Sequence, residues 1–144
     1  MRVLVQRCLN ASVSVGDEVV GKIGNGLVLF VGFTDGDDID KIDYMINKII
    51  NLRIFPDENN IMNKSVLDVG GSVLSISQFT LYGDCNKGCR PSYVRALESK
   101  SANRLYDIFN EKLSLKIDVS TGVFGADMIV DLKNVGPTTI WLER

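Results

Sequence analysis

Four polar side chains, Ser75, Ser77, Gln78 and Thr80, interrupt an otherwise apolar stretch, Val73-Leu-Ser-Ile-Ser-Gln-Phe-Thr-Leu-Tyr82, that leads into Gly83-Asp84. A run so rich in Val, Leu, Ile, Phe, Thr and Tyr reads as a buried strand. A buried hydroxyl or amide without a partner costs about 1–3 kcal/mol, so these groups point either to a polar ligand or to neighbouring backbone at a sheet edge. Alternation places Ser75, Ser77, Phe79 and Leu81 on one face and Leu74, Ile76, Gln78, Thr80 and Tyr82 on the other. The apolar pattern gives way at Ser77, which makes Ser77 to Thr80 the strand's working end.

What the chain lacks limits the chemistry available there. It contains no His, which removes Ser-His-Asp and Cys-His machinery and an imidazole general base. Cys8, Cys85 and Cys89 are odd in number and irregular in spacing, so neither a disulfide framework nor a zinc site is expected. Asp35-Gly-Asp-Asp-Ile-Asp40 is only superficially a calcium loop, since Ile39 takes the third ligand position and Asp40 stands where Gly is required. Gly122 and Gly125 are too few for a phosphate loop. Neither metal nor cofactor is expected. A hydrolysis at Ser77 to Thr80 must therefore draw its base from elsewhere, and the substrate is one candidate source.

Charge is unevenly spread. Between Cys85 and Arg104, Lys87, Arg90, Arg95, Lys100 and Arg104 face only Glu98, a local charge of +4 in a chain of net charge −2. A basic island on an acidic protein directs a polyanion to one place, whereas a solvated face needs no partner at all.

The elements that must carry these groups can be read in order. Arg2-Val-Leu-Val-Gln-Arg-Cys8 and Ala11-Ser-Val-Ser-Val15 read as strands, Gly16-Asp17 as a turn, and Glu18 to Ile23 as the returning strand. Leu27-Val-Leu-Phe-Val-Gly-Phe33 is apolar throughout and is expected to be buried on both faces. Arg7, flanked by apolar residues, either snorkels from an edge or anchors carbonyls or a carboxylate. The acidic cluster caps a helix with Ile39, Ile42, Met45, Ile46, Ile49 and Ile50 on one stripe. Leu52 to Phe55 reads as a short strand and Asn63 to Gly71 as irregular. A second helix carries Ala102, Leu105, Ile108, Phe109 and Leu113, and Lys116 to Val119 reads as a strand. Met128 to Leu132 and Thr138 to Leu142 read as two strands around a Lys133-Asn-Val-Gly-Pro137 loop, with Trp141 in the core. The 144 residues, 45% hydrophobic and 24% charged, fit one domain over 1–144. No apolar run approaches the ~20 residues of a membrane span, so a soluble, cytoplasmic protein without membrane partners is expected.

Ser77-Gln-Phe-Thr80, Lys87-Gly-Cys-Arg-Pro-Ser-Tyr93, Gly122-Val-Phe-Gly-Ala126 and Asn134-Val-Gly-Pro-Thr-Thr139, in this order and spacing, resemble the D-aminoacyl-tRNA deacylases. The opening Arg2 to Arg7 and Leu67-Asp-Val-Gly-Gly71 extend the likeness over essentially the whole chain. The resemblance implies an α/β fold, a compact, mostly antiparallel, barrel-like sheet with two covering helices, working as a homodimer on aminoacyl-tRNA. It implies that Ser77, Gln78, Phe79 and Thr80 form the catalytic wall, with backbone amides toward the ester oxygens and Thr80 positional rather than nucleophilic. It further implies a cis Gly136-Pro137 that enters the partner's pocket, braced through its carbonyls by Arg7. Phe124, Ala126 and Met128 would contact substrate, and Lys87, Arg90 and Arg95 would contact tRNA. Two departures from the usual pattern are Thr138, where Val is usual, and Tyr93, where Phe is usual. Other readings of the same residues are a binding module for nucleic acid without catalysis, or a related deacylase with a trans Gly-Pro and L-specificity.

Overall fold

The computed structural model describes residues 1–144. In chain order the elements are β1 (Arg2–Val15), β2 (Glu18–Ile23), β3 (Gly26–Gly32), α1 (Ile39–Ile50), β4 (Phe55–Pro56), β5 (Met62–Lys64), β6 (Ser72–Ser77), a 3-10 turn (Phe79–Tyr82), α2 (Ser99–Ser114), β7 (Val119–Thr121) and β8 (Met128–Glu143). β1 is the common rail. Its first half pairs antiparallel with β3, from Arg2 opposite Gly32 to Cys8 opposite Gly26, and its second half with β2. β8 runs antiparallel along its other edge from Val15 to Arg2. β6 joins β3 in parallel and β7 joins β6 in parallel.

The sheet almost closes where β2 approaches β7. Ser120 Oγ donates to the Lys22 carbonyl at 3.0 Å, and a Cβ at Gly21 would lie 2.7 Å from the Thr121 carbonyl oxygen. Only glycine allows that approach. β4 and β5 form a separate two-stranded ribbon.

Alternation along the strands produces two apolar layers. Val3, Val5, Leu27, Leu29, Val31 and Val73 pack against the helices, while Cys8, Ala11, Val13, Ile23, Val28, Leu74 and Ile76 fill the other side. β3 is therefore buried on both faces, as its continuous apolar run requires. Helix α1 starts at Asp38, whose side chain accepts from the Lys41 amide at 2.9 Å, and buries Ile42, Met45, Ile46, Ile49 and Ile50. α2 is capped by Glu98, which accepts from the Lys100 and Ser101 amides. Each fully buried Ile, Leu or Phe contributes about 1.5–3 kcal/mol, so these two stripes hold the helices on the sheet. The Met1 ammonium is buried and donates to Asp37 Oδ1 and the Arg144 carbonyl, both at 2.6 Å.

Several elements differ from their sequence reading. The strand expected to reach Tyr82 stops at Ser77, because the Gln78 amide turns to the Val31 carbonyl at 2.7 Å and the Gly83 amide closes on the Thr80 carbonyl at 2.9 Å. Arg2–Val15 is one strand, with Leu9 and Asn10 exposed where it changes partners. Met128–Glu143 is likewise one strand. The surplus residues 135–138 bulge opposite Arg7, between the pairs Gln6–Thr139 and Cys8–Asn134, so no hairpin separates its halves. The expected strand over 52–55 shrinks to Phe55–Pro56, the stretch thought irregular contains part of β5, and the strand placed at 116–119 lies at Val119–Thr121. Trp141, expected in the core, is 46% exposed. It sits on the outer face of β8 with the Arg2 guanidinium 5.3 Å from its ring.

Candidate active site

Because β3, β6 and β7 run parallel, their C-terminal ends share one rim, the place where open parallel sheets form crevices. A cleft of about 500 Å³ lies there. Val31, Gly32 and Phe33 enter from the end of β3, Ile76, Ser77, Gln78 and Phe79 from the end of β6, residues 124–127 from the loop after β7, and Met128 and Val130 from the start of β8. Leu97, Ser99 and Ala102, at the start of α2, complete the wall. A Cβ at Gly32 would stand 2.8 Å from the Gln78 carbonyl oxygen, so glycine is what lets β3 and the end of β6 meet so closely.

Three of the four residues assigned to the catalytic wall, Ser77, Gln78 and Phe79, line the cleft. Thr80 does not. It is exposed, and its hydroxyl accepts a hydrogen bond from Gln78 Nε2, which ties that amide side chain down. The Gln78 backbone amide is already engaged with Val31, whereas the Phe79 and Thr80 amides open the 3-10 turn and reach no protein acceptor. Arg2 braces this turn, donating to the Leu81 carbonyl at 2.8 Å with its guanidinium 4.4 Å from the Tyr82 ring centre. Ser75, the first polar residue of the run, is fully buried. Its hydroxyl has no hydrogen-bond partner and does not face the cleft.

Phe124, Ala126 and Met128 join Ser77, Gln78 and Phe79 in the same cleft. Asp127 is the one ionisable residue of the lining. It was missed in the sequence, as were Ser99 and Leu97, because nothing before the parallel pairing of β3, β6 and β7 says that these segments converge. Nowhere do three or more His, Cys, Asp or Glu side chains come together as a metal site requires.

Arg7, Gly136 and Pro137 lie outside this cleft. Arg7 is 7% exposed. One of its terminal nitrogens donates to the Ile54 carbonyl, and the other to the carbonyls of Val135 at 3.4 Å and Gly136 at 3.3 Å. The carbonyls it holds are thus those of Val135 and Gly136, not of Gly136 and Pro137 as expected, since residues 135–138 bulge opposite Arg7 and Val135 is the first of them. The Gly136-Pro137 bond is cis. Both residues are exposed, and no atom lies within 4 Å of the position a Gly136 Cβ would take. Thr138 is buried, with Oγ1 donating to Met62 Sδ at 3.8 Å, so the departure from Val faces inward.

The basic island adjoins the cleft mouth. A pair of backbone hydrogen bonds between Asp84 and Ser92, at 2.8 and 2.9 Å, closes the loop that carries Lys87 and Arg90. Tyr93 then packs edge-on against Phe79 with ring centres 5.1 Å apart. Lys87, Arg90 and Arg95 are exposed, and none takes part in an ion pair. Cys85 and Cys89, on the same loop, are exposed free thiols.

A family model described as D-Tyr-tRNA(Tyr) deacylase matches residues 4–143. Among named relatives, the D-aminoacyl-tRNA deacylase of Limosilactobacillus reuteri (strain DSM 20016) is 53% identical over the whole of both chains. That of Listeria monocytogenes serotype 4a (strain HCC23) is 54% identical over 99% of this chain and 95% of its own. The chain belongs to the D-Tyr-tRNA(Tyr) deacylase family. Of solved structures, the c-Myc DNA Unwinding Element Binding Protein superposes with a TM-score of 0.95 at 38% identity, covering 100% of this chain and 99% of its own. A probable eukaryotic D-amino acid tRNA deacylase, at 18% identity and a TM-score of 0.82 over 98% and 97% of the two chains, shares the fold.

Proposed function

We propose that this chain hydrolyses the ester joining a D-amino acid to the terminal ribose of tRNA, a chirality check on translation. The observation that carries the reading is the cleft itself, in which Ser77, Gln78 and Phe79 meet Phe124, Ala126 and Met128 within a chain of this family. The Phe79 and Thr80 amides, free of protein acceptors, take the ester oxygen as negative charge develops on it. Gln78, tied to Thr80, orients the aminoacyl group. Water is activated by the 2′-hydroxyl of the substrate's own ribose, and the protein contributes positioning and oxyanion stabilisation. The unpaired cations Lys87, Arg90 and Arg95 receive tRNA phosphates, which gives salt-sensitive binding with little base readout.

Selection operates across a homodimer. The exposed Gly136-Pro137 bend of one subunit enters the cleft of the other, its carbonyls hold the substrate amino group, and an L side chain collides with them. Glycine lacks a side chain and is admitted, so glycyl-tRNA mischarged on tRNA-Ala is a second substrate. The reaction proceeds in the cytoplasm without metal or cofactor.

Release of labelled tyrosine from D-tyrosyl-tRNA and L-tyrosyl-tRNA, side by side and with added chelator, tests this. Loss of the D form alone, unaffected by chelator, is expected. A substrate ending in 2′-deoxyribose is expected to be cleaved far more slowly, and equal rates would overturn the substrate-assisted step. Cleavage of the L form alone would assign the L-specific relative's activity. A nucleic-acid binding module is the second reading, favoured by the basic island and by the name of the relative with the TM-score of 0.95. Cleavage of neither substrate, with tRNA binding lost in Lys87→Ala and Arg90→Ala, would establish it.

A further inference from the structure

We propose that Tyr106, a helix α2 residue outside the cleft, is a positioning residue for the reaction: its hydroxyl braces β6 at the point where β7 parts from it, and so fixes the fork in which the cleft opens. The proposal rests on the deacylase reading above. β6 and β7 pair in register only as far as Ser75 opposite Thr121, and the last bond between them runs from the Gly122 amide to the Ser75 carbonyl at 3.0 Å. Beyond it the two chains diverge. β6 continues to Ser77 and Gln78, while the chain leaving β7 swings out to place Phe124, Ala126 and Met128 on the opposite wall.

At such a fork the inner edge of β6 loses its partner, and its backbone groups need another or the strand end drifts. The Tyr106 hydroxyl stands at this place. It is a second donor, at 2.8 Å, to the Ser75 carbonyl that the Gly122 amide already reaches, and the Ser77 amide, past the last β6–β7 pair, and the Asn110 side chain face its oxygen. The ring is 3% exposed and packs against Phe124 with ring centres 5.9 Å apart. One side chain therefore grips both walls, the β6 end through its hydroxyl and the β7 loop through its ring. Burial pushes the phenol's pKa above its ordinary value, opposed by the groups of Ser75 and Asn110 and more weakly by the Ser77 amide. It accordingly keeps its proton at neutral pH and serves as a hydrogen-bond donor.

Phe would fill the same apolar volume, so packing alone does not call for the hydroxyl. Tyr106→Phe separates the two roles. For D-tyrosyl-tRNA, kcat should fall about tenfold with KM within about twofold of the parent, since misplacement of reacting groups acts on the transition state. Both proteins are assayed well below their thermal midpoints, so that unfolding does not enter. Tyr44→Phe removes a phenol hydroxyl from the exposed side of α1 and should leave kcat unchanged. A Tyr106→Phe protein with the parental kcat, or whose loss merely follows a lowered thermal midpoint, would overturn the proposal. A readout independent of catalysis keeps it distinct from the deacylase reading. In 15N-labelled Tyr106→Phe the amide resonances of Ser77, Phe79 and Phe124 should move while those of the β1–β2 hairpin stay put. If the parent cleaves no aminoacyl-tRNA the deacylase reading fails, and unmoved amides then show that the fork does not depend on Tyr106.

Discussion

At the end of β6, Ser77, Gln78 and Phe79 line a cleft of about 500 Å³. At the bend of β8, Gly136 and Pro137 stand exposed, with no atom within 4 Å of the place where a Gly136 Cβ would lie. The first region is concave and built from the ends of three parallel strands. The second is convex, an excess of residues on one strand, held from beneath by Arg7. A concave wall can bind a ligand with its own chain alone, whereas a projection needs something to enter. Two-fold assemblies satisfy both demands when each copy offers a projection to the other's recess, the arrangement proposed above.

The heaviest blow to the cleft side is Gly32→Val. Its Cβ would sit 2.8 Å from the Gln78 carbonyl oxygen, a backbone atom that no side-chain rotation can move aside, and the β6 end must shift. We expect kcat/KM for D-tyrosyl-tRNA to fall about 100-fold, measured by steady-state deacylation, with the bend unaffected. The counterpart on the bend side is Arg7→Ala, which removes the donors to Ile54, Val135 and Gly136. A loss of about 2–4 kcal/mol in urea unfolding is expected, together with weaker discrimination between D- and L-tyrosyl-tRNA. Unchanged discrimination in the folded variant would detach the bend from selectivity.

Alkaline pH should separate the two regions. Cys8, on β1 opposite the base of the bend, has its thiol pushed by burial from 9.0 to about 11. Tyr82, in the turn behind the cleft, is pushed from 10.0 to about 12, by burial first and then by Asp37. In both cases the unfolded chain gives up its proton at lower pH than the folded one. Stability is therefore fully present below the unfolded pKa and declines as pH rises toward the folded value, by at most about 1.4 kcal/mol per pH unit for each proton. Urea midpoints should begin to fall above about pH 9, with local unfolding around the bend preceding that around the cleft. Amide exchange resolved by residue checks the order. The smallest effect is expected at the mouth: Lys87→Ala or Arg90→Ala should raise KM several-fold at physiological salt, leave kcat alone, and lower the slope of log binding against log salt by about 1 each.

The same contrast explains what the sequence disclosed. The continuous apolar run of β3 and the Ile stripe of α1 were legible because burial alone dictates them. The end of β6 was not, since Phe79, Thr80 and Leu81 have strand-forming types, and only the Val31 carbonyl, distant in the chain, pulls Gln78 into a turn. Gly136-Pro137 signalled a loop correctly in local terms, yet β1 runs past it and absorbs the surplus as a bulge. Tyr106 had a signal that went unused. Ala102, Tyr106, Phe109 and Leu113 are the buried positions of α2, a cleaner 3–4 spacing than one containing Leu105 and Ile108. Trp141 was misplaced because size and hydrophobicity suggest a core, while alternation along β8 sends it outward beside Arg2.

The pairing of β1 with β8 sets a schedule for folding. Arg2 lies opposite Glu143, so the contact closing that edge joins residues almost a full chain length apart, and contacts of such separation form slowly. β1 leaves the ribosome well before β8 and can find β2 and β3 early, but its other edge stays open until the sixteen-residue β8 has been made. Throughout that interval it offers unpaired amides and carbonyls to any neighbouring chain. Productive folding is then a race between the synthesis of β8 and a meeting with another nascent copy, and crowded polysomes are where this protein should be most prone to aggregate.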